Sequence, residues 1–229
     1  MKKIGLVGGT GPESTLMYYR ELNTRTDRLT NGRQMPDIAI ESVDFRRVCE
    51  YVSTGQKDEL AEYLSEKVSC LQKSGAEVIA LTAVTTHLVF DEVTAKTGAS
   101  LVSIPKAVCD EAVSRGYKNV GLLGTIFTME QDYMKKELRE AGLTVTIPDK
   151  DGRELVAKRI FEELELGIVK DETLKEFQGI IRKMQQEQGI ETVILGCTEL
   201  PLILNDGCSP VPCLDSVDIH INKLIQLAL

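Results

Sequence analysis

The sequence predicts an α/β protein built from two similar parallel-sheet α/β domains related by pseudo-twofold symmetry. Three observations predict this class. Short apolar runs ending in Gly or Thr alternate with longer amphipathic stretches, the pattern of successive βα units. The two halves of the chain repeat the same motifs at nearly the same interval. The length of 229 residues, 42% of them apolar, suffices for two cores of about 100 residues each.

Taken in order, apolar runs predict strands over 3–8, 37–43, 77–82, 100–103, 119–124, 143–147, 191–196 and 211–214. The stretches between them have apolar residues at helical spacing and polar outer faces. They predict helices over 12–29, 56–74, 86–97, 105–115, 129–141, 151–166, 171–188 and 216–228. Laid over each other, Ile4-Gly5-Leu6-Val7-Gly8-Gly9-Thr10 matches Val120-Gly121-Leu122-Leu123-Gly124-Thr125, and the run from Val78 to His87 matches that from Val193 to Leu202. Gly8 to Ala83 spans 75 residues and Gly124 to Cys197 spans 73. The expected first domain is 1–98 plus 208–229 and the second is 99–207. The expected site lies in the cleft between them, because ligands of open parallel sheets bind beyond the carboxyl ends of the strands.

Composition narrows the function. A net charge of −8 offers no basic face for nucleic acid. The apolar run after Met1-Lys2-Lys3 is too short for a secretory signal, and no run approaches the roughly 18 residues of a membrane span. A cytoplasmic protein with no membrane partner is expected. The six cysteines, Cys49, Cys70, Cys109, Cys197, Cys208 and Cys213, are dispersed and expected to be reduced. Cys208 and Cys213 form a lone pair without a second pair at ligand spacing, so no metal site is expected. Cys49, Cys70 and Cys109 read as small core hydrophobes.

Chemistry concentrates in the turns after the strands. Gly8-Gly9-Thr10-Gly11-Pro12-Glu13-Ser14-Thr15 joins a strand to a helix. Its glycines permit positive φ, Pro12 suits the first helical turn, and Thr10 with Glu13 reads as a capping box. Its amides can hold a carboxylate. A dinucleotide is disfavoured, because the third glycine is missing and Glu13 sits where a pyrophosphate would. Cys197 follows a strand and Gly196 and precedes a helix-like segment at Pro201, whose N-terminus is expected to lower the thiol pKa. Thr85, Thr86, Thr125, Thr128 and Thr198 supply hydroxyls at the same strand ends. Glu199 either orients a group or is solvated, His87 either assists proton transfer or packs, and Arg46 and Arg47 either clamp an anion or lie on the surface.

With Gly8 to Thr15, Ser42-Val43-Asp44-Phe45, Gly124-Thr125 with Thr128-Met129-Glu130, Ile160-Phe161-Glu162-Glu163-Leu164 and Gly196-Cys197-Thr198-Glu199, the chain resembles the aspartate/glutamate racemase family almost end to end. The resemblance implies cofactor-independent racemisation of a small-molecule acidic amino acid in an interdomain cleft, and commonly a homodimer. It assigns catalysis to Cys197 and substrate binding to Thr10, Val84, Thr85, Thr86, Thr125, Thr128, Thr198 and Glu199. In the family a second thiol in a Cys-Asn-Thr-x-His motif works from the opposite face, and a similar branch acting on L-aspartate and L-glutamate has threonine there. This chain reads Ala83-Val84-Thr85-Thr86-His87. Alanine moves no proton, and Thr82 is expected to point to the other face of its strand. The expectation is therefore one-sided proton transfer. The alternatives are a single-cysteine decarboxylase of malonate-type substrates and a ligand-binding protein that has lost turnover.

Overall fold

A computed structural model describes residues 1–229. It contains eight strands in two four-stranded sheets. The first sheet has the order β2-β1-β3-β4, from Ile38–Ser42, Ile4–Gly8, Val78–Leu81 and Leu101–Val102. The second has the order β6-β5-β7-β8, from Thr144–Thr146, Asn119–Leu123, Thr192–Leu195 and Cys213–Asp215. All pairs are parallel, and the strand order is the same in both halves. β1, β3, β5 and β7 are buried along most or all of their lengths, as strands covered by helices on both faces must be.

Ten α-helices connect the strands: α1 Pro12–Leu29, α2 Phe45–Ser53, α3 Lys57–Lys73, α4 Phe90–Thr97, α5 Ile104–Ser114, α6 Ile126–Glu130, α7 Lys136–Glu140, α8 Lys150–Glu162, α9 Asp171–Gln188 and α10 Ser216–Ala228. Helices 12–29, 171–188 and 216–228 fall where the spacing predicts them. Three regions differ. α2 was not foreseen; its nine residues start where the Asp44 carboxylate accepts from the Arg46 and Arg47 amides, a cap that periodicity alone does not reveal. The helix predicted over 129–141 is two short helices, and that over 86–97 begins as a 3-10 turn, Val84–Val89.

The chain divides into two compact units, Met1–Ser103 with His220–Leu229, and Ile104–Ile219. This moves the expected boundaries. β4 pairs with β3, which puts residues 99–103 in the first unit; β8 pairs with β7, which puts 208–219 in the second. The first core contains Val48, Leu60, Leu64, Val68, Ile79 and Leu81; the second contains Met129, Val156, Ile160, Phe177, Ile181 and Val193. Within the first unit, His220 ties α10 to α1 and β4. Its Nε2 donates to the Val102 carbonyl (2.9 Å), leaving Nδ1 to accept from the Tyr18 hydroxyl (2.7 Å). Burial holds it neutral, with its pKa near 3. No helix is long and apolar enough to cross a membrane.

Candidate active site

In each sheet the chain reverses its winding direction between the two central strands, which creates a crevice beyond their carboxyl ends. These switch points lie between β1 and β3 and between β5 and β7. They place the Gly8–Thr15 turn beside Ala83–His87 in the first unit, and Gly124–Thr128 beside Gly196–Glu199 in the second.

In the second unit, the absence of two side chains allows the close approach. A Cβ on Gly196 would lie 2.9 Å from the Leu123 carbonyl and 3.0 Å from the Thr128 methyl, and one on Gly124 would lie 2.9 Å from that methyl. Both are shorter than contacts a real Cβ tolerates. Cys197, Thr125 and Thr128 therefore share one strand end. Thr125 caps α6 by accepting from the Thr128 amide (3.2 Å), and the Thr128 hydroxyl lies 3.1 Å from both the Thr125 and Tyr133 hydroxyls. Behind them the buried Lys135 donates to the last carbonyls of α6, Met129 (2.8 Å) and Glu130 (2.9 Å), satisfying acceptors that every helix end leaves open.

Cys197 is half-buried. Its thiol donates to Glu199 Oε2 at 2.7 Å, and the Thr198 hydroxyl donates to Oε1 at 2.6 Å, so the carboxylate accepts at both oxygens. Burial first, then the negative charge of Glu199, pushes the Cys197 pKa well above the usual thiol range. The expected lowering by a helix N-terminus does not occur, because the segment after Glu199 is a single 3-10 turn, Leu200–Leu202, with too short a dipole to outweigh a carboxylate. Glu165, in the 3-10 turn Leu164–Leu166, adds a second negative charge; partial loss of water and the Glu199 charge raise its own pKa. Neither Glu165 nor Lys135 was foreseen. Both fall inside predicted helices, 129–141 and 151–166, but lie in the turn before α7 and in a 3-10 turn, and helical spacing does not show which groups those turns bring them to.

In the first unit, Gly9 has φ +92° and a Cβ there would meet Ser42 Oγ at 2.5 Å. The Thr15 hydroxyl accepts from the Gly9 amide (2.9 Å), and Ser14 donates to the Thr82 carbonyl (2.8 Å), which fixes α1 against the end of β3. The predicted Thr10–Glu13 capping box is absent: Gly11 is the N-cap, with Pro12 following it. Thr10 and Thr85 are half-buried, and their hydroxyls make no hydrogen bond within the chain. Thr86 and His87 turn inward. The Thr86 hydroxyl (2.7 Å) and His87 Nδ1 (3.1 Å) both bond the Ala83 carbonyl, and the His87 ring stacks on Phe90. Burial lowers the His87 pKa to about 4. Val84 is buried, and Thr82 is buried with its hydroxyl on the Val7 carbonyl (3.2 Å). Of the four residues expected to bind substrate in this unit, only Thr10 and Thr85 present uncommitted polar groups.

The Arg47 guanidinium bonds the Tyr51 hydroxyl and lies over the Tyr63 ring, 4.3 Å from its centre. Cys109 is buried as expected, whereas Cys49 and Cys70 are exposed; both lie on the outer faces of their helices. No group of three or more His, Cys, Asp or Glu residues is arranged to hold a metal.

A family model described as Asp/Glu/Hydantoin racemase matches residues 7–224. The chain belongs to this family. Among solved structures, this racemase-family chain is similar to an aspartate racemase homologue from Pyrococcus horikoshii OT3, with 41% identity, TM-score 0.84, and coverage of 100% of this chain and 99% of that one. A candidate Asp/Glu racemase from Yersinia pestis has 35% identity and TM-score 0.94 over 100% and 99% of the two chains. A broad specificity amino-acid racemase from Bacillus subtilis (strain 168) is 22% identical over 93% of this chain and 92% of its own. The match to a glutamate racemase from Caldanaerobacter subterraneus subsp. tengcongensis, 24% identical, covers 65% of this chain and about half, 52%, of that relative.

Proposed function

We propose that this protein is an isomerase that racemises an acidic amino acid of the aspartate/glutamate type without a cofactor, with Cys197 exchanging the α-proton from one face. The observation that carries the proposal is the half-buried Cys197 thiol at the β5/β7 switch point, hydrogen-bonded to Glu199, in a chain of a racemase family. A thiol at such a position can take a proton from carbon and return one. The uncommitted hydroxyls of Thr10 and Thr85, with the Thr10 and Gly11 amides, offer donors for carboxylates without a large positive field. Thr125, Thr128 and Thr198 serve chiefly to shape the Cys197 loop, because their hydroxyls already bond within the unit.

Ala83 makes the chemistry asymmetric. It stands at the end of β3, at the motif position to which the family resemblance assigns the second thiol, and its neighbours Thr82, Thr86 and His87 all spend polar atoms on backbone carbonyls. Deuterium should therefore enter the α-position faster than configuration inverts. The test is proton NMR of aspartate and of glutamate in deuterated water, with chiral separation of the products. Loss of the α-proton signal with slow inversion, reduced at least about 100-fold in Cys197→Ser, is the expected result. If the α-protons of both amino acids persist with the intact protein, the proposal is wrong.

A further inference from the structure

We infer that Glu199 is the acceptor of the Cys197 proton, so that thiol and carboxylate act as one acid–base unit; this rests on the racemase reading above. The geometry is direct: Cys197 Sγ lies 2.7 Å from Glu199 Oε2, while Thr198 holds Oε1 at 2.6 Å. The carboxylate is thereby fixed with one oxygen on the sulfur. The charges acting on the sulfur are those of Glu199 on its own loop and Glu165 from the 3-10 turn after α8, both negative. No cation holds a resting thiolate. Burial and the two carboxylates keep the sulfur protonated, so the proton must leave during the reaction, and the nearest base is the carboxylate it already bonds.

The step balances within the pair and the substrate. As the Cys197 S–H bond breaks, an O–H bond forms on Glu199 and an electron pair stays on sulfur. In the same concerted event that pair takes the α-proton: a new S–H bond forms, the C–H bond breaks, and its electrons move into the substrate carboxylate as an enediolate. Solvent deuterium replaces the acidic protons while the enediolate persists. Return from sulfur to the same face of carbon labels the substrate with configuration retained.

Two measurements on Glu199→Gln move in opposite directions if this is right. Removing the charge makes the thiol easier to ionise, so alkylation of Cys197 by iodoacetamide, followed on its own peptide by mass spectrometry, should stay equal or accelerate. Exchange of the α-proton of aspartate or glutamate should fall at least about 100-fold, because the amide cannot take the proton. A carboxylate that only repelled the thiolate would make both rates rise. Wild-type exchange should be flat from about pH 6 to about pH 9, since the proton passes to the carboxylate already bonded to the sulfur rather than to hydroxide, whereas the remaining exchange in Glu199→Gln should climb about tenfold per pH unit. Glu199→Asp keeps an acceptor on a shorter arm and should retain the flat profile at a reduced rate; it serves if the glutamine variant does not fold. Exchange in Glu199→Gln equal to or faster than wild type, or an aspartate variant whose rate climbs with pH, overturns the inference. Wild-type protein that exchanges neither amino acid sinks the racemase reading itself, a distinct outcome.

Discussion

Gly196 determines whether Cys197 can stand where it does. The Leu123 carbonyl and the Thr128 methyl crowd the space a side chain would fill, and the Gly196 amide donates to that carbonyl at 2.8 Å. Gly196→Ala should cost about 1–3 kcal/mol by overpacking and lower α-proton exchange at the same time, measurable by chemical denaturation and NMR. A stable, fully active variant would show that the loop has another route past β5. The other informative residue is Ala83, half-buried and extended at the start of its 3-10 turn. Ala83→Cys restores a group able to move a proton. Its expected effect is a rise in the ratio of inversion to exchange by about 100-fold, the scale of one positioned acid or base, read by chiral chromatography beside deuterium uptake. An unchanged ratio would mean the opposite face is already served.

Among the elements, α6 depends on the side chains at its two ends. Its five residues cannot hold a helix by propensity, and its ends are closed by Thr125 at one side and the Lys135 ammonium at the other. Burial lowers the Lys135 pKa, yet two carbonyls at hydrogen-bond distance offset the lost hydration. Lys135→Met keeps the apolar stem and removes the donors. The expected loss is about 1–3 kcal/mol, with faster amide exchange in residues 125–130; retained stability would assign the end of α6 to packing. The link between α8 and α9 is of a different kind. Glu163 accepts from Arg159 (2.6 Å), Lys170 (2.9 Å) and Thr173 (2.5 Å), and these donors hold its carboxyl near pKa 2. The sequence shows these charges but not that they converge, because helical spacing relates Arg159 to Glu163 only and leaves Lys170 and Thr173 beyond the turn.

Over the whole molecule, the two units should respond differently to acid. Both histidines of the chain, His87 and His220, belong to the first unit, with pKa values near 4 and near 3 against about 6.5 in an unfolded chain. A base whose folded pKa is depressed contributes stability that is present above its unfolded pKa and is lost as pH falls from there toward the folded value. By pH 5 each histidine should cost about 2 kcal/mol. The second unit has no histidine, and its Glu163 keeps its partners until pH falls from about 4.5 toward 2. Hydrogen exchange at pH 5, corrected for intrinsic rates and compared with pH 7, should show lost protection across Met1–Ser103 and little change across Ile104–Ile219. Equal loss in both units would show that the histidines do not set the acid response.

The order of secondary structure was fixed locally, and so was readable from the chain. The central strands β1, β3, β5 and β7 are largely apolar runs, and the long helices have their periodicity and a sharp start, as at Pro12, or a left-handed glycine end, as at Gly189. The repeat also showed which turns would meet, since equal spacing of like strands places them at corresponding sheet positions. What a side chain does once there was decided only by the tertiary structure. Thr86 and Thr85 are neighbours with the same hydroxyl, yet one bonds the Ala83 carbonyl and the other is uncommitted. Cys197 was expected to be acidified by a helix and is instead held protonated, by burial first and then by the charge of Glu199. β4 and β8 took their places through pairing with β3 and β7 rather than through the repeat's arithmetic. The physical reason is one of range. Apolar period and turn chemistry act over a few residues and are written in neighbours, whereas hydrogen-bond partners, lost hydration and the charges that set a pKa come from residues far along the chain that only folding brings within a few ångströms.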